Sequence, residues 1–237
     1  MHGLRPSTAG LLLAAGAGRR MGGHPKAFLV LGGRSLLEHG IARILPHVDE
    51  VVAAVGPNEL PEVRPEFEHA FNGKPVRIVA GGQTRQGSLL ALLKATTAEW
   101  VLVHEVARPL TPEELFPETL AAARLHGAAV TFRRHKERDS IGLAHGDSLE
   151  RTVPRSNLVI LQTPHAYRRD EILAAHERAV AEGWKEEGTA PLALRARIPI
   201  HLVECLEENL KITYPEDWED VCSRPNVSSS SRSSAGE

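Results

Sequence analysis

A loop of small residues followed by basic side chains is the part of this sequence best suited to chemistry. The segment LLLAAGAGRRMGGHPKAF covers residues 11–28, and in it an apolar run gives way to small residues and then to basic ones. Arginine and lysine neutralise phosphate oxygens, and glycine lets the main chain approach a phosphate closely because it lacks a Cβ. We therefore predict an anion-binding loop in which Gly16 and Gly18 shape the backbone and Arg20 and Lys26 supply the charge.

Two familiar phosphate-binding motifs do not match this loop. A dinucleotide-binding fingerprint needs a third glycine three residues after Gly18, where Met21 stands, and the acidic Glu38 falls within a predicted helix. A nucleoside-triphosphatase loop needs GxxxxGK followed by Ser or Thr, which the sequence lacks. The pattern leaves open a simple Gly-x-Gly turn with solvated basic residues.

The elements that must position this loop follow from the hydrophobic pattern. Short apolar runs bounded by Gly, Pro or charge predict six buried strands: AGLLLAAG, EVVAAVG, VRIVAGG, EWVLVHE, GAAVTF and LVILQTP. Four amphipathic stretches between them predict helices: RSLLEHGIARILPHV, TRQGSLLALLKATTA, TPEELFPETLAAARLHG and YRRDEILAAHERAVAEG. This alternation predicts a Rossmann-like α/β fold with three α/β/α layers and a mostly parallel sheet. In such folds, ligands bind at the carboxyl ends of the strands.

Two segments depart from the alternation. Residues 134–156 hold many charges and no helical stripe, and the turn signal HGD separates two short runs, which predicts a projecting β-hairpin arm. Residues 223–237 are rich in serine and poor in apolar residues, which predicts a disordered tail. We therefore expect a single domain over residues 1–222, including the arm.

The composition argues against several classes of protein. The chain has 237 residues, 42% of them hydrophobic, and a formal net charge of -2, so no nucleic-acid partner is expected. Cys205 and Cys222 share no CxxC spacing, which indicates neither a disulfide framework nor a zinc site. No apolar run reaches the roughly 20 residues of a membrane span. We expect a cytoplasmic protein with no membrane partner.

Six ordered motifs give the sequence a specific resemblance. AAGAGRRM with PKAF, then GGQTRQGS, HEVARP, QTPHAY and NLKITYPEDW, occur as they do in the 2-C-methyl-D-erythritol 4-phosphate cytidylyltransferases of the non-mevalonate isoprenoid pathway. The resemblance implies a nucleotidyltransferase-like fold and transfer of CMP from CTP to methylerythritol phosphate, with release of pyrophosphate. Ribitol-5-phosphate cytidylyltransferases share most of these motifs. They remain an alternative, as does a nucleotide-binding protein without catalysis.

The resemblance also implies roles for individual residues toward CTP. Arg20, Lys26 and Lys211 match the family's catalytic cations, which stabilise the charge that builds up at the α-phosphorus. The matched CTP-binding residues lie in the first loop and in GGQTRQGS, whose family counterpart recognises cytosine: Ala14, Ala15, Gly16, Gly18, Gly81, Gly82, Arg85 and Ser88.

The remaining matched residues concern the metal and the second substrate. Glu105 stands where the family normally has the aspartate that binds Mg²⁺, and glutamate is one methylene longer. Asp139, Ser140 and Arg155 match residues of the arm that hold methylerythritol phosphate. In the family this arm reaches a neighbouring subunit, so a homodimer is implied.

A second departure from the family pattern lies near residue 190. Thr189 is retained, but Ala190 and Pro191 occupy positions where acids are usual. The arrangement around the metal is therefore expected to differ from the common one.

Overall fold

A seven-stranded sheet forms the centre of the molecule in the computed structural model, which describes residues 7–67, 71, 73–136 and 139–224. The strands of this sheet, in chain order, are β1 (Thr8–Leu13), β4 (Glu50–Val55), β5 (Val76–Ala80), β6 (Trp100–Glu105), β7 (Ala128–Arg134), β10 (Val159–Arg168) and β11 (His201–Glu204). Their spatial order is β11-β7-β10-β6-β1-β4-β5. Two small antiparallel pairs lie outside this sheet: β2 (Val30–Leu31) with β3 (Arg34–Ser35), and β8 (Ile141–His145) with β9 (Ser148–Val153).

The sheet is mostly parallel, as predicted. β1 pairs in parallel with both β4 and β6, and the outer pairs β4–β5 and β7–β11 are parallel as well. β10 is the exception, because it runs antiparallel to β6 and β7. The chain leaves β7, turns back through the β8–β9 pair and returns beside β7. A hairpin-like return of this kind gives antiparallel pairing.

Helices cover both faces of the sheet and complete the three predicted layers. Leu12 of β1 belongs to one buried apolar cluster with side chains of α1 and α4, whereas Leu11 belongs to a second cluster with α3, α5 and α6. Successive residues of a strand point to opposite faces, so a fully apolar strand serves both cores. The helices are α1 (Leu36–Ile44), α2 (Leu60–Phe67), α3 (Arg85–Lys94), α4 (Leu115–His126), α5 (Arg169–Ala181), α6 (Thr189–Arg195) and α7 (Pro215–Ser223).

The predicted arm is a two-stranded hairpin formed by β8 and β9. Most of its side chains are exposed on both strands, and Gly146 adopts a positive φ in the predicted turn. Residues 137 and 138 of the arm lie outside the described part of the chain. A lone two-stranded hairpin is marginally stable in water, so this arm is suited to packing against another surface.

The C-terminal end of the described chain is helical. α7 extends to Ser223, and Arg224 forms ion pairs with Asp220 at 2.8 Å and with Glu208 at 2.9 Å. The predicted tail beyond residue 224 lies outside the described residues. Among the helices of the described residues, none has both the length and the apolar character needed to cross a membrane.

Candidate active site

A cleft of about 450 Å³ opens at the carboxyl ends of β1 and β6. These strands are parallel neighbours, and their last residues, Leu13 and Glu105, are paired in register. The loops that follow the two strands therefore meet at one edge of the sheet, where open α/β sheets bind their ligands. Most of the predicted nucleotide and catalytic residues line the cleft: Ala14, Ala15, Gly16, Gly18, Arg20, Lys26, Gly82, Arg85, Ser88, Glu105 and Lys211.

The first wall of the cleft is the glycine loop after β1. Gly18 adopts a φ of 60°, and a Cβ on it would lie 1.8 Å from the carbonyl oxygen of His24. The carbonyl oxygen of Gly18 accepts hydrogen bonds from the backbone N–H groups of Met21 (2.7 Å) and Gly23 (3.1 Å). Glycine at position 18 is thus required by the fold of the loop itself. Around Gly16, by contrast, no atom of the described residues beyond its chain neighbours lies within 4 Å of an added Cβ.

The three predicted catalytic cations are brought together. Lys26 Nζ donates to the carbonyl oxygen of Ile212 at 2.9 Å, although the two residues are 186 positions apart. Burial, followed by the nearby charges of Lys211 and Arg20, lowers the pKa of Lys26 from its usual value. The Arg20 guanidinium lies 5.2 Å from the centre of the Tyr214 ring. The start and the end of the chain thus supply one cationic cluster.

A buried carboxylate faces this cluster. Glu105 is only 8% exposed, and its Oε2 lies 2.6 Å from Lys211 Nζ while its Oε1 accepts from Arg85 Nε at 2.8 Å. Arg108 Nε is 3.9 Å from Oε2. Burial acts to raise the pKa of this carboxyl, but the charges of Arg85 and Lys211 outweigh it and hold the pKa well below its usual range. Glu105 is therefore ionised at neutral pH.

Glu105 is the predicted metal ligand, and its surroundings decide which kind of metal site it fits. The described residues contain no group of three or more His, Cys, Asp or Glu side chains that could hold a metal ion. Ala190, where an acid was expected, is buried in the core between α6 and the sheet. Mg²⁺ is commonly bound through one or two carboxylates together with substrate phosphates. In this structure Arg85 and Lys211 each engage one oxygen of Glu105. Glu105 fits a site of this kind once Mg²⁺ replaces one of these cations and a nucleotide supplies the other oxygens.

The loop before α3 also lines the cleft, and two glycines allow its close packing. A Cβ on Gly81 would lie 2.3 Å from the Cβ of Ala15, and one on Gly82 would lie 2.7 Å from the carbonyl carbon of Gly87. Ser88 Oγ accepts from Gly82 N at 3.1 Å, so the predicted cytosine-binding hydroxyl also shapes this loop. Gly81 lies behind Ala15 and does not itself line the cleft.

Arg85, predicted to bind the base, lines the cleft and bonds residues of two other elements. Besides the bond to Glu105, its Nη1 donates to Thr189 Oγ1 at 2.9 Å, at the first residue of α6. Thr84 Oγ1 accepts from Gly87 N at 3.0 Å and caps α3, which fixes where Arg85 begins the helix. Arg85 therefore links β6, α3 and α6, a contact that its sequence motif did not indicate.

The arm residues lie apart from the cleft. Asp139 and Ser140 precede β8 and Arg155 follows β9, and all three are exposed. None of them lines the cleft of the same chain. Their predicted role toward the second substrate therefore requires either a second copy of the chain or a movement of the arm.

One residue at the site was missed by sequence reasoning. Asn209 is 2% exposed, and it bonds Thr111, Thr163, Arg108 and Gln162 just behind Glu105. The signal that could have found it is its place in the motif NLK, two residues before Lys211. A buried amide is costly unless its hydrogen bonds are satisfied, and those of Asn209 are.

Comparison with known proteins shows the family to which the chain belongs. A family model described as 2-C-methyl-D-erythritol 4-phosphate cytidylyltransferase matches residues 9–221. A protein of that name from Deinococcus radiodurans is 40% identical over 217 residues, covering 91% of this chain and 88% of the relative. Another, from Aquifex aeolicus, is 35% identical over 211 residues, covering 89% of this chain and 94% of the relative.

Solved structures show the same architecture. The crystal structure of 2-C-methyl-D-erythritol 4-phosphate cytidylyltransferase from Thermus thermophilus superposes with a TM-score of 0.71 at 32% identity, covering 90% of this chain and 96% of that one. The crystal structure of 4-diphosphocytidyl-2C-methyl-D-erythritol synthase from Anaerococcus prevotii gives a TM-score of 0.79 at 26% identity, covering 91% of this chain and 94% of that one.

Proposed function

Because the chain belongs to the 2-C-methyl-D-erythritol 4-phosphate cytidylyltransferase family, we propose that it transfers CMP from CTP to 2-C-methyl-D-erythritol 4-phosphate. The products are 4-diphosphocytidyl-2-C-methyl-D-erythritol and pyrophosphate. The observation that supports this most directly is the convergence of Lys26 and Lys211, from opposite ends of the chain, beside the Glu105 carboxylate.

The reaction is a direct displacement at phosphorus. A phosphate oxygen of methylerythritol phosphate attacks the α-phosphorus of CTP, the bond between the α-phosphorus and the bridging oxygen breaks, and pyrophosphate leaves with that oxygen. No covalent enzyme intermediate is needed, so the protein contributes positioning and charge stabilisation. Arg20, Lys26 and Lys211 line the cleft, which supports a role for these cations in neutralising the charge that builds up on the phosphoryl oxygens.

Nucleotidyltransferases generally use a divalent cation, and Mg²⁺ is the ion proposed here. Glu105 would hold it together with the nucleotide phosphates, because Glu105 is the carboxylate that lines the cleft among the described residues. When bound, the ion neutralises part of the triphosphate charge.

The second substrate is proposed to bind at an interface between two copies of the chain. Asp139, Ser140 and Arg155 flank an exposed hairpin that does not reach the cleft of its own chain. An arginine fork suits a phosphate monoester. A homodimer in which each arm completes the partner's cleft would place this fork beside the methylerythritol phosphate.

Pyrophosphate release tests the proposal. Each nucleoside triphosphate is supplied with either methylerythritol phosphate or ribitol 5-phosphate, in the presence of Mg²⁺. We expect release with CTP and methylerythritol phosphate, and little with the other pairs. Release with ribitol 5-phosphate alone would reassign the substrate. CTP binding measured by calorimetry, without release from any pair, would indicate a non-catalytic nucleotide-binding protein.

A further inference from the structure

Lys211 lies on a segment without helix or strand, between the end of β11 at Glu204 and the start of α7 at Pro215. On such a segment no repeating backbone hydrogen bonds fix the position of a side chain. Its position depends instead on the contacts that the flanking residues make with the rest of the protein. Two anchors flank Lys211. On one side Ile212 N donates to the carbonyl oxygen of Ala107 at 2.8 Å, while Ile212 O accepts from Lys26. On the other side lies Asn209.

Asn209 uses both its backbone and its side chain. Its carbonyl oxygen accepts from Arg108 Nη1 at 2.6 Å and from Gln162 Nε2 at 3.2 Å. Its side-chain Oδ1 accepts from Thr111 Oγ1 at 2.8 Å, and its Nδ2 donates to the carbonyl oxygen of Thr163 at 2.9 Å. All four bonds are buried, which makes this the best-anchored point near Lys211.

Two of these partners also hold Glu105. Thr163 Oγ1 accepts from the backbone N–H of Glu105 at 3.3 Å, and Arg108 Nε lies 3.9 Å from Glu105 Oε2. Asn209 thus connects the segment that carries Lys211 to the residues that fix Glu105 in place. Lys211 Nζ and Glu105 Oε2, which are 2.6 Å apart, therefore lie on two segments that share hydrogen-bond partners.

We infer that Asn209 is a positioning residue, which sets the Lys211 ammonium against Glu105 and so keeps it aimed at the reacting phosphorus. The inference rests on the proposed function. The amide suits the task because it donates and accepts at the same time. Alanine would leave the Thr163 carbonyl and the Thr111 hydroxyl buried without these partners.

Turnover of Asn209→Ala tests the inference. A misplacement of about 1 Å at a catalytic group can cost about 100-fold in rate, so we expect kcat to fall about 10- to 100-fold while the KM for CTP changes less than about threefold. Thr119→Val is the matched control, because it removes a buried 3.1 Å hydrogen bond to Thr131 between α4 and β7, away from the cleft. Its kcat should stay at the wild-type level in assays well below both melting temperatures.

A double-mutant cycle identifies the residue through which Asn209 acts. If it acts through Lys211, then Asn209→Ala should cost little more once Lys211→Met is present. An equal loss in both backgrounds, or a wild-type kcat for Asn209→Ala, would overturn the inference. Should Asn209→Ala not fold, Thr111→Val removes one of the two side-chain bonds of Asn209 and should lower kcat severalfold. It also removes the 3.0 Å bond from Thr111 Oγ1 to the carbonyl oxygen of Arg108.

A crystal structure of the same variant, Asn209→Ala or Thr111→Val, separates this inference from the proposed function. We expect Lys211 Nζ to lie more than about 4 Å from Glu105 Oε2, beyond ion-pair distance. An unchanged ion pair would contradict the positioning role, whatever the activity. If the wild type releases no pyrophosphate with any substrate pair, the proposed function fails, and the position of Lys211 in the variant still decides the inference.

Discussion

Charge imbalance at single residues determines what the cleft can bind. Among the described residues, five cationic side chains line it and Glu105 is the one acidic side chain. Glu105 forms ion pairs with Arg85 and Lys211. Lys26 donates one of its three ammonium N–H groups to the carbonyl oxygen of Ile212. The cleft therefore carries an excess of positive charge. A polyphosphate is the ligand class that such an excess favours.

Lys26→Ala should reduce turnover far more than it reduces stability. Removing one preorganised charge from the transition state typically costs about 100-fold in kcat, and pyrophosphate release measures it. Lys94→Ala is the matched control, since it deletes an exposed lysine whose ion pair with Glu177 spans 3.7 Å. An unchanged kcat in Lys26→Ala, or an equal loss in the control, would remove Lys26 from the catalytic set.

Glu105→Gln should raise the Mg²⁺ concentration needed for half-maximal turnover by about tenfold or more, because a neutral amide is a much weaker magnesium ligand than a carboxylate. Glu105→Asp keeps the charge and should stay within a few fold of the wild type. Both are measured by titrating Mg²⁺ at saturating CTP. An unshifted titration in Glu105→Gln would exclude this carboxylate as the metal ligand.

At the level of elements, a small apolar cluster brings the two ends of the chain together. Leu31 and Leu36, which follow the glycine loop, pack with Ile212 and with Val221 of α7. This packing places the segment bearing Lys211 against the segment bearing Lys26. The arm is the contrasting element, because its strands leave the domain surface and its site residues stay outside the cleft.

Subunit mixing tests the proposed role of the arm. Lys26→Ala protein has a defective cleft and an intact arm, whereas Arg155→Ala protein has the reverse. If each arm serves the partner's cleft, statistical mixing leaves one complete site in each mixed dimer, and activity should recover to about a quarter of wild type. No recovery above the average of the two variants would show that the arm serves its own chain.

Arg155→Ala by itself should raise the KM for methylerythritol phosphate and spare CTP binding.

Buried neutral histidines affect the stability of the whole molecule. Burial lowers the pKa of His104 and of His165 to about 3 and that of His176 to about 4. A histidine in the unfolded chain has a pKa of about 6.5. Below that pH the unfolded chain binds protons at these positions, whereas the folded chain keeps the three histidines neutral. The free energy of unfolding is therefore unaffected by these histidines above about pH 6.5, and it decreases as the pH falls from there toward their pKa values in the folded protein.

His176→Leu should flatten this decline. One such histidine lowers the free energy of unfolding by up to about 2 kcal/mol when the pH falls from about 7.5 to about 5.0. The decrease over this range should therefore be smaller in His176→Leu than in the wild type by up to that amount. Urea unfolding at the two pH values measures the difference. His145→Leu, on the exposed arm, should follow the wild type. Parallel declines in His176→Leu and the wild type would show that His176 does not contribute.

The sequence by itself determined the features that depend on local pattern. Apolar runs predicted six of the seven strands of the central sheet, and helical periodicity predicted α1, α3, α4 and α5. Gly18 and the HGD turn could be predicted because such turns need particular backbone angles. The short elements β11, α2, α6 and α7 were not predicted. Elements this short are stabilised largely by packing on the rest of the domain.

Only the tertiary structure decided which side chains meet in the site. Lys211 contacts Glu105, Arg85 joins Thr189, and Asn209 bonds Thr163 across long sequence separations. Spacing along the chain cannot specify such contacts, because they arise when separate strands end at the same edge of the sheet and a coil segment is anchored beside them. The orientation of β10 and the separation of the arm from its own cleft have the same origin in three-dimensional connectivity.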